Sequence, residues 1–349
     1  MRMRKCVGIL MVCAVLLSIG STAQAASQTW VSGNVGDWGS TANWSGAQVP
    51  AGTDTATINN GTASITTNQG CGITLLGNGL ATDVATLNIG SNLNLYKSGS
   101  SELFCVLKGT TGASATVNQS AGTVRVGAVG TANGGTFETR LVTGSTVTTG
   151  TATYNLSGSA ILDTDVLSKG NKVDTGATFN ATGGTLVLRS MIYKFGLNSE
   201  GYGFNQGTCK LEIGAIDTVA AITVGNSSNL MDYTVGTGGT LDFDIASATS
   251  FDKITQYGSV ANTLGATLQI DLLGGYTPLP GSFFDVWAFS ATGKSGSGTF
   301  ATLPANWTAT WIDTNADSIT DTLRLTYIPE PATIALLGLG LLAMRRNKK

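Results

Sequence analysis

The amino-acid sequence predicts an all-β fold, a right-handed parallel β-solenoid (β-helix) closed by an antiparallel C-terminal cap. Three observations predict it. From Ala26 onward, short runs of alternating apolar and polar residues are broken by Gly, Asn and Ser, the pattern of strands with one buried face. A four-residue motif returns as Ala85-Thr86-Leu87-Asn88, Ala115-Thr116-Val117-Asn118, Ala152-Thr153-Tyr154-Asn155 and Ala177-Thr178-Phe179-Asn180, with Ala266-Thr267-Leu268-Gln269 as a weaker later copy. Composition agrees: the 349 residues include 47 Gly, only 6 Pro and 11% charged side chains, while a hydrophobic content of 42% is enough to offset the chain entropy lost on folding.

The motif starts run from 85 to 115, to 152 and to 177, spacings of 30, 37 and 25 residues. Such spacings fit coils of variable circumference, none able to bury its apolar face until a neighbour stacks on it. The middle three copies are each followed by Gly and a second apolar run, Val124-Arg125-Val126, Ala160-Ile161-Leu162 and Leu186-Val187-Leu188. Thr, Ser and Asn are small enough to stack in register, and Gly turns corners at φ values closed to other residues. The same strands would also build a β-sandwich or jelly roll, which is the runner-up.

The organisation follows from texture. Residues 1–25 read as a signal peptide, 26–260 as the solenoid body, 261–327 as an antiparallel cap of the same body and 328–349 as a terminal tail. The body opens with Trp30, Trp38, Asn43-Trp44, Val49-Pro50 and Asp54. This series resembles the first coils of autotransporter-type passenger domains and related surface proteins, and the resemblance implies a cap in which the three tryptophans cover the open end of the core. A functional alternative makes them a platform for stacking sugars. The stretch from 261 to 327 is richer in aromatics, with antiparallel strands expected at Phe283 to Phe289, Ala309 to Ile312 and Leu323 to Tyr327.

Each end of the chain carries an address. Arg2, Arg4 and Lys5 precede an apolar stretch from Cys6 to Ile19 and the small-residue pair Ala23 and Ala25, the three parts of a secretory signal cut by signal peptidase after Ala25. The apolar stretch is shorter than the ~20 residues that a lone membrane span needs. At the other end, Pro329-Glu330-Pro331 leads into the apolar run Ala332 to Met344, and Arg345, Arg346, Lys348 and Lys349 follow. The prolines keep the preceding segment out of a helix. The apolar run enters the bilayer as a helix and the basic cluster stops it on the cytoplasmic side, so the body faces outward. These residues closely resemble the tail of PEP-CTERM proteins. The resemblance implies recognition by an exosortase, a membrane-embedded, cysteine-dependent transpeptidase that cuts near Pro329, Glu330 and Pro331, followed by release or attachment to envelope components or extracellular polysaccharide.

Charge excludes one class of partner. Between the basic residues at the two ends, the chain holds 12 basic and 21 acidic residues, and a body so acidic repels nucleic acid. Candidate chemistry is sparse. Asp313, Asn315, Asp317 and Asp321 place oxygens at alternate positions, as a calcium loop does, although Ser318 stands where such a loop turns on Gly, and Arg324 where it ends on Glu. The plainer alternative is a polar hairpin turn. Asp163/Asp165 and Asp242/Asp244 are spaced i, i+2, which on a strand puts both carboxylates on one side, ~7 Å apart, as in two-carboxylate glycoside hydrolysis. One wet strand face looks the same, and the chain has no His to serve as general base. After signal removal Cys71, Cys105 and Cys209 remain, either one disulfide and a free thiol or small buried hydrophobes. No organic cofactor is expected. The expected role is a non-catalytic surface or matrix protein, structural or adhesive and associated with exopolysaccharide. A polysaccharide lyase or glycoside hydrolase on the same scaffold is the second hypothesis, and a glycan-binding module the third.

Overall fold

Strand after strand pairs in parallel with the strand one coil earlier in a computed structural model of the chain, and this stacking is the whole logic of the fold. The structure describes residues 26–77, 80, 82–95, 102–106, 112–127, 136–138, 150–168, 177–193, 202–227, 230–258, 260–290 and 294–328. Among them every strand pairing but two is parallel, so a parallel β-solenoid is present and the β-sandwich or jelly-roll alternative is overturned. Sandwiches and jelly rolls are antiparallel, whereas parallel neighbours require a long return path, here one whole coil.

The parallel strands form three faces. The first stacks Val35–Asp37, Gly61–Ile65, Val84–Ile89, Ser114–Gln119, Thr151–Leu156 and Ala177–Ala181 in that order. The second stacks Gln69–Cys71, Leu93–Leu95, Thr123–Val126, the first parts of Ile161–Ser168 and Thr185–Tyr193, Lys210–Ile213, Thr240–Ile245 and the end of Val260–Leu272. The third runs from Ser27–Thr29 through Thr55–Ile58 and Ile73–Leu76 to Lys253–Gln256 and Phe283–Phe289.

Register follows the sequence motif. Ala85, Ala115, Ala152 and Ala177 pair across neighbouring coils, as do Asn88, Asn118, Asn155 and Asn180. Alternation then decides which side each residue takes: Ala85, Leu87 and Ile89 are buried, while Thr86 and Asn88 are half-buried on the outside. The second apolar runs stack likewise, Val124 on Leu162 on Leu186. The late copy Ala266-Thr267-Leu268-Gln269 belongs elsewhere. It pairs with Thr240-Leu241-Asp242 on the second face, because Thr-Leu-x-x-Asp recurs there, and it is no fifth rung of the asparagine face.

Corners are fixed by glycine and by buried glutamines. Gly122 has φ +70°, and a Cβ there would lie 2.3 Å from the Ser91 carbonyl carbon of the coil below. Gln119, wholly buried, donates Nε2 to the Gly122 carbonyl of its own coil at 3.0 Å and to the Ile161 carbonyl of the next at 2.9 Å, and its Oε1 accepts from the Tyr154 hydroxyl at 2.6 Å. Gln206 repeats the device with Tyr233, and Gln256 accepts from Trp287 Nε1. The amide adds a side-chain bridge between two coils at the corner, beside the backbone bond from the Ile161 amide to the Gly122 carbonyl at 2.9 Å.

Both ends of the core are covered. Trp30, Trp38 and Trp44 are at most 2% exposed and meet edge to face, with centroids 5.1 and 4.8 Å apart. Burial so complete leaves no ring face for a sugar. At the C-terminal end, Phe283–Phe289 and Trp307–Ile312 pair antiparallel with Thr322–Tyr327, close to the expected spans. Parallel pairing nevertheless continues past residue 261 through Val260–Leu272 and Ser295–Thr302, so the pairing changes later than the sequence texture does.

Candidate functional site

Two outward faces carry the polar chemistry, and they are built differently. On the first, the alternation that buries Ala and Leu turns Asn outward at the same height in each coil. Asn118 Nδ2 donates to Asn88 Oδ1 at 2.9 Å, Asn155 to Asn118 at 2.8 Å and Asn180 to Asn155 at 3.0 Å, a continuous amide ladder. Ser64 extends the row below Asn88, and Asp37 lies below Ser64. Beside it an open groove of about 520 Å³ is lined by Ser64, Thr66, Asn88, Asn118 and Ser120. Short amides and hydroxyls at the ~4.8 Å strand spacing give a flat, uncharged and repetitive surface.

The second face is charged. Asp163 and Asp165 are 6% and 1% exposed, and arginines neutralise both. Arg125 Nε bonds Asp163 at 2.8 Å, Arg189 Nε bonds Asp165 at 2.5 Å, and Arg189 Nη1 also bonds Asp163. A cavity of about 170 Å³ opens beside this network. Further along, Lys210 engages Glu212 at 2.9 Å and also Asp242. Burial, with Asp242 close by and Lys210 opposing, pushes Glu212 up to about 7. Asp242 is raised first by burial as well. Asp244, two residues on and 1% exposed, has no hydrogen-bond partner on either oxygen among the described residues. It stacks in register beneath Asp271, and Asp217 approaches from the loop after Lys210–Ile213.

The sequence singled out both Asp pairs but missed Asp217 and Asp271. Asp271 was legible in principle, since Thr240-Leu241-Asp242-Phe243-Asp244 and Thr267-Leu268-Gln269-Ile270-Asp271 repeat with the same alternation. Asp217 sits in an irregular loop with φ +58° and leaves no such signal.

The loop of Asp313, Asn315, Asp317 and Asp321 turns its oxygens onto its own backbone. Asp313 accepts from the amides of Asn315, Ala316 and Ser318, Asn315 from that of Asp317, and Asp317 from that of Ile319. Asp321 points inward to Thr314 and Thr322. The hairpin turn between Trp307–Ile312 and Thr322–Tyr327 is therefore in place. Cys71 and Cys209 are buried and unpaired, their thiols pushed up to about 12 by burial, which leaves them inert hydrophobes at neutral pH.

The body ends at its surface. Ile328 is half exposed and donates its amide to the Asn306 carbonyl at 2.6 Å, one residue before Pro329. Pro329, Glu330, Pro331, Arg345, Arg346, Lys348 and Lys349 lie outside the described residues, as do Ala23 and Ala25. Among the described residues no helix is long and apolar enough to cross a membrane. Residues 328–349 match the PEP-CTERM protein-sorting motif. No curated protein matches the chain in sequence. The motif implies processing by an exosortase, export and a cell-surface destination.

Proposed function

We propose, from the PEP-CTERM sorting motif that closes the chain, that the solenoid is a non-catalytic structural or adhesive element of the cell surface or extracellular matrix, held among exopolysaccharide. In this reading signal peptidase removes residues 1–25, the C-terminal helix tethers the precursor in the membrane, and an exosortase cuts beside Pro329, Glu330 and Pro331. The body is the delivered cargo.

The observation that carries the reading is the motif itself, whose match begins at Ile328, a half-exposed residue that still donates its amide to the Asn306 carbonyl of the body. The asparagine face supports the role assigned to the body. Its repeated amides and hydroxyls match the hydrogen-bonding groups of a neighbouring glycan without committing to one sugar. Against catalysis stand the Asp pairs: arginines hold Asp163 and Asp165, and Asp242 and Asp244 are each 1% exposed, out of reach of a polysaccharide chain.

Mass spectrometry of the mature protein from its native cell tests the reading. The expected product begins at Ala26 and lacks the residues after the Pro-Glu-Pro element. An intact tail on protein recovered from the surface, or a body retained in the cytosol, would sink it. In a mixed-polysaccharide screen the purified body is expected to release no reducing ends and no unsaturated uronate, and turnover that disappears in Asp242→Asn would establish the enzymatic alternative instead.

A further inference from the structure

We propose that Asp217, Asp244 and Asp271 form a binding site for a divalent cation, calcium by its chemistry, on the charged face of the solenoid. One carboxylate oxygen from each of the three lies within 4.8 Å of the others. Oxygens that share a calcium ion at 2.3–2.6 Å lie up to ~5 Å apart, so the spacing is that of ligands around one ion.

Proximity of acids alone means little, and Asp244 supplies the decisive observation. Its side chain is 1% exposed, and neither oxygen has a hydrogen-bond partner among the described residues. A carboxylate taken out of water is tolerated when it is paired, hydrogen-bonded or bound to a metal. Asp163 and Asp165 show the first solution on the same face. Asp244 has neither of the first two, and the groups it faces in the cluster are Asp271 in the next coil and Asp217 in the loop. Lys210, the cation of this region, is occupied by Glu212 and Asp242. Burial, then the charges of Asp242, Asp271 and Asp217, push Asp244 up to about 6, the signature of negative charge gathered without compensation.

The surroundings hold the three carboxylates in place. Asp252 accepts from the Ala220 amide at 2.6 Å through Oδ1 and from the Asp244 amide at 2.8 Å through Oδ2, tying the end of the Asp217 loop to the strand of Asp244. Gln269 Nε2 donates to Asp271 Oδ2 at 2.9 Å and fixes that side chain. The donor set is all oxygen, which selects a hard cation over zinc or copper. Three carboxylates supply up to six oxygens, water completes the shell, and calcium accepts such irregular geometry where magnesium demands an octahedron. Because one ligand comes from a loop and two from successive coils, an ion here cross-links the solenoid along its axis.

Calorimetric titration of the exported chain with its tail, in mild detergent and after EGTA treatment, tests the site. One calcium ion per chain is expected, with a Kd of about 10⁻⁴–10⁻³ M, the range of extracellular modules, and a melting temperature that rises in calcium. Asp244→Asn is expected to weaken binding at least tenfold, and Asp313→Asn to leave it unchanged. Should Asp244→Asn fail to fold, Asp271→Lys serves in its place: it sets an ammonium beside Asp244 as Arg189 does for Asp165, so binding is expected to vanish while the metal-free chain stays folded. No calcium-dependent heat or melting shift at 10 mM overturns the proposal, as does binding that survives both variants or is lost in Asp313→Asn.

Discussion

The two Asp-x-Asp pairs of the charged face, Asp163/Asp165 and Asp242/Asp244, occupy the same kind of strand at the same near-complete burial and have opposite surroundings. The first is clamped by Arg125 and Arg189, reaching in from the coils on either side. The second shares one lysine with Glu212 and leaves Asp244 with no hydrogen-bond partner among the described residues. Identical local sequence patterns thus encode a closed structural network in one place and an open, charge-hungry one in the other. The difference lies in residues a full coil away, because in a solenoid the nearest neighbour of a side chain is the residue one coil up or down.

Removing the clamp is the strongest way to break the contrast. Arg189→Leu removes the guanidinium that bonds both Asp163 and Asp165, leaving two nearly buried carboxylates with less positive charge against them. We expect a loss of about 3–5 kcal/mol in urea-induced unfolding, the usual result of deleting one partner of a buried pair. A loss below about 1 kcal/mol would mean that the two carboxylates are hydrated and the clamp ornamental.

Acid sharpens the contrast from the other side. Glu212 faces Lys210 on its own strand, Val187 in the coil below and Asp242 in the coil above. Its folded value of about 7 exceeds the unfolded value of 4.5, so the folded state binds the extra proton between them. The cost of burying the charge is fully present above pH 7 and disappears as the pH falls toward 4.5. In EGTA the chain is therefore expected to melt higher at pH 5.5 than at pH 8, and Glu212→Gln is expected to shrink the difference without removing it, since burial also pushes Asp244 up to about 6 and Asp252 up to about 8. A melting temperature that falls on acidification over this range contradicts the assignment.

Much of this architecture was legible because it depends on period-two alternation and on repeats of a whole motif. Ala85 to Asn180 predicted both the stacking and the register, and the tryptophans at 30, 38 and 44 predicted a covered end. What escaped was whatever depends on which residue of the next coil lies opposite. The segment at Ala266 read as a weaker later copy of the motif, and its partners are Thr240 to Asp242 on the second face. The buried glutamines 119, 206 and 256 give no sequence signal either, since a polar residue at a strand end reads as a turn. The sorting tail was the most legible part, being a linear motif that needs no partner to be recognised.

The asparagine face offers a third way to fill an outward row, and it sets the lower bound of the comparison. Asn118 both donates to Asn88 and accepts from Asn155. Asp in its place keeps the acceptor and loses the donor, so Asn118→Asp breaks one rung of the ladder and adds a charge that water still reaches. Half-burial makes that charge cheap. The expected cost is about 1 kcal/mol, the net worth of one hydrogen bond, and it should shrink further in Asn118→Ser, which keeps a donor and an acceptor on a shorter arm. Urea midpoints of the two variants measured beside Arg189→Leu check this. If Asn118→Asp proved as damaging as Arg189→Leu, the amide ladder, and not the arginine clamp, would be the principal polar support of the coil stack, because only groups whose loss strands a buried charge or donor can cost that much.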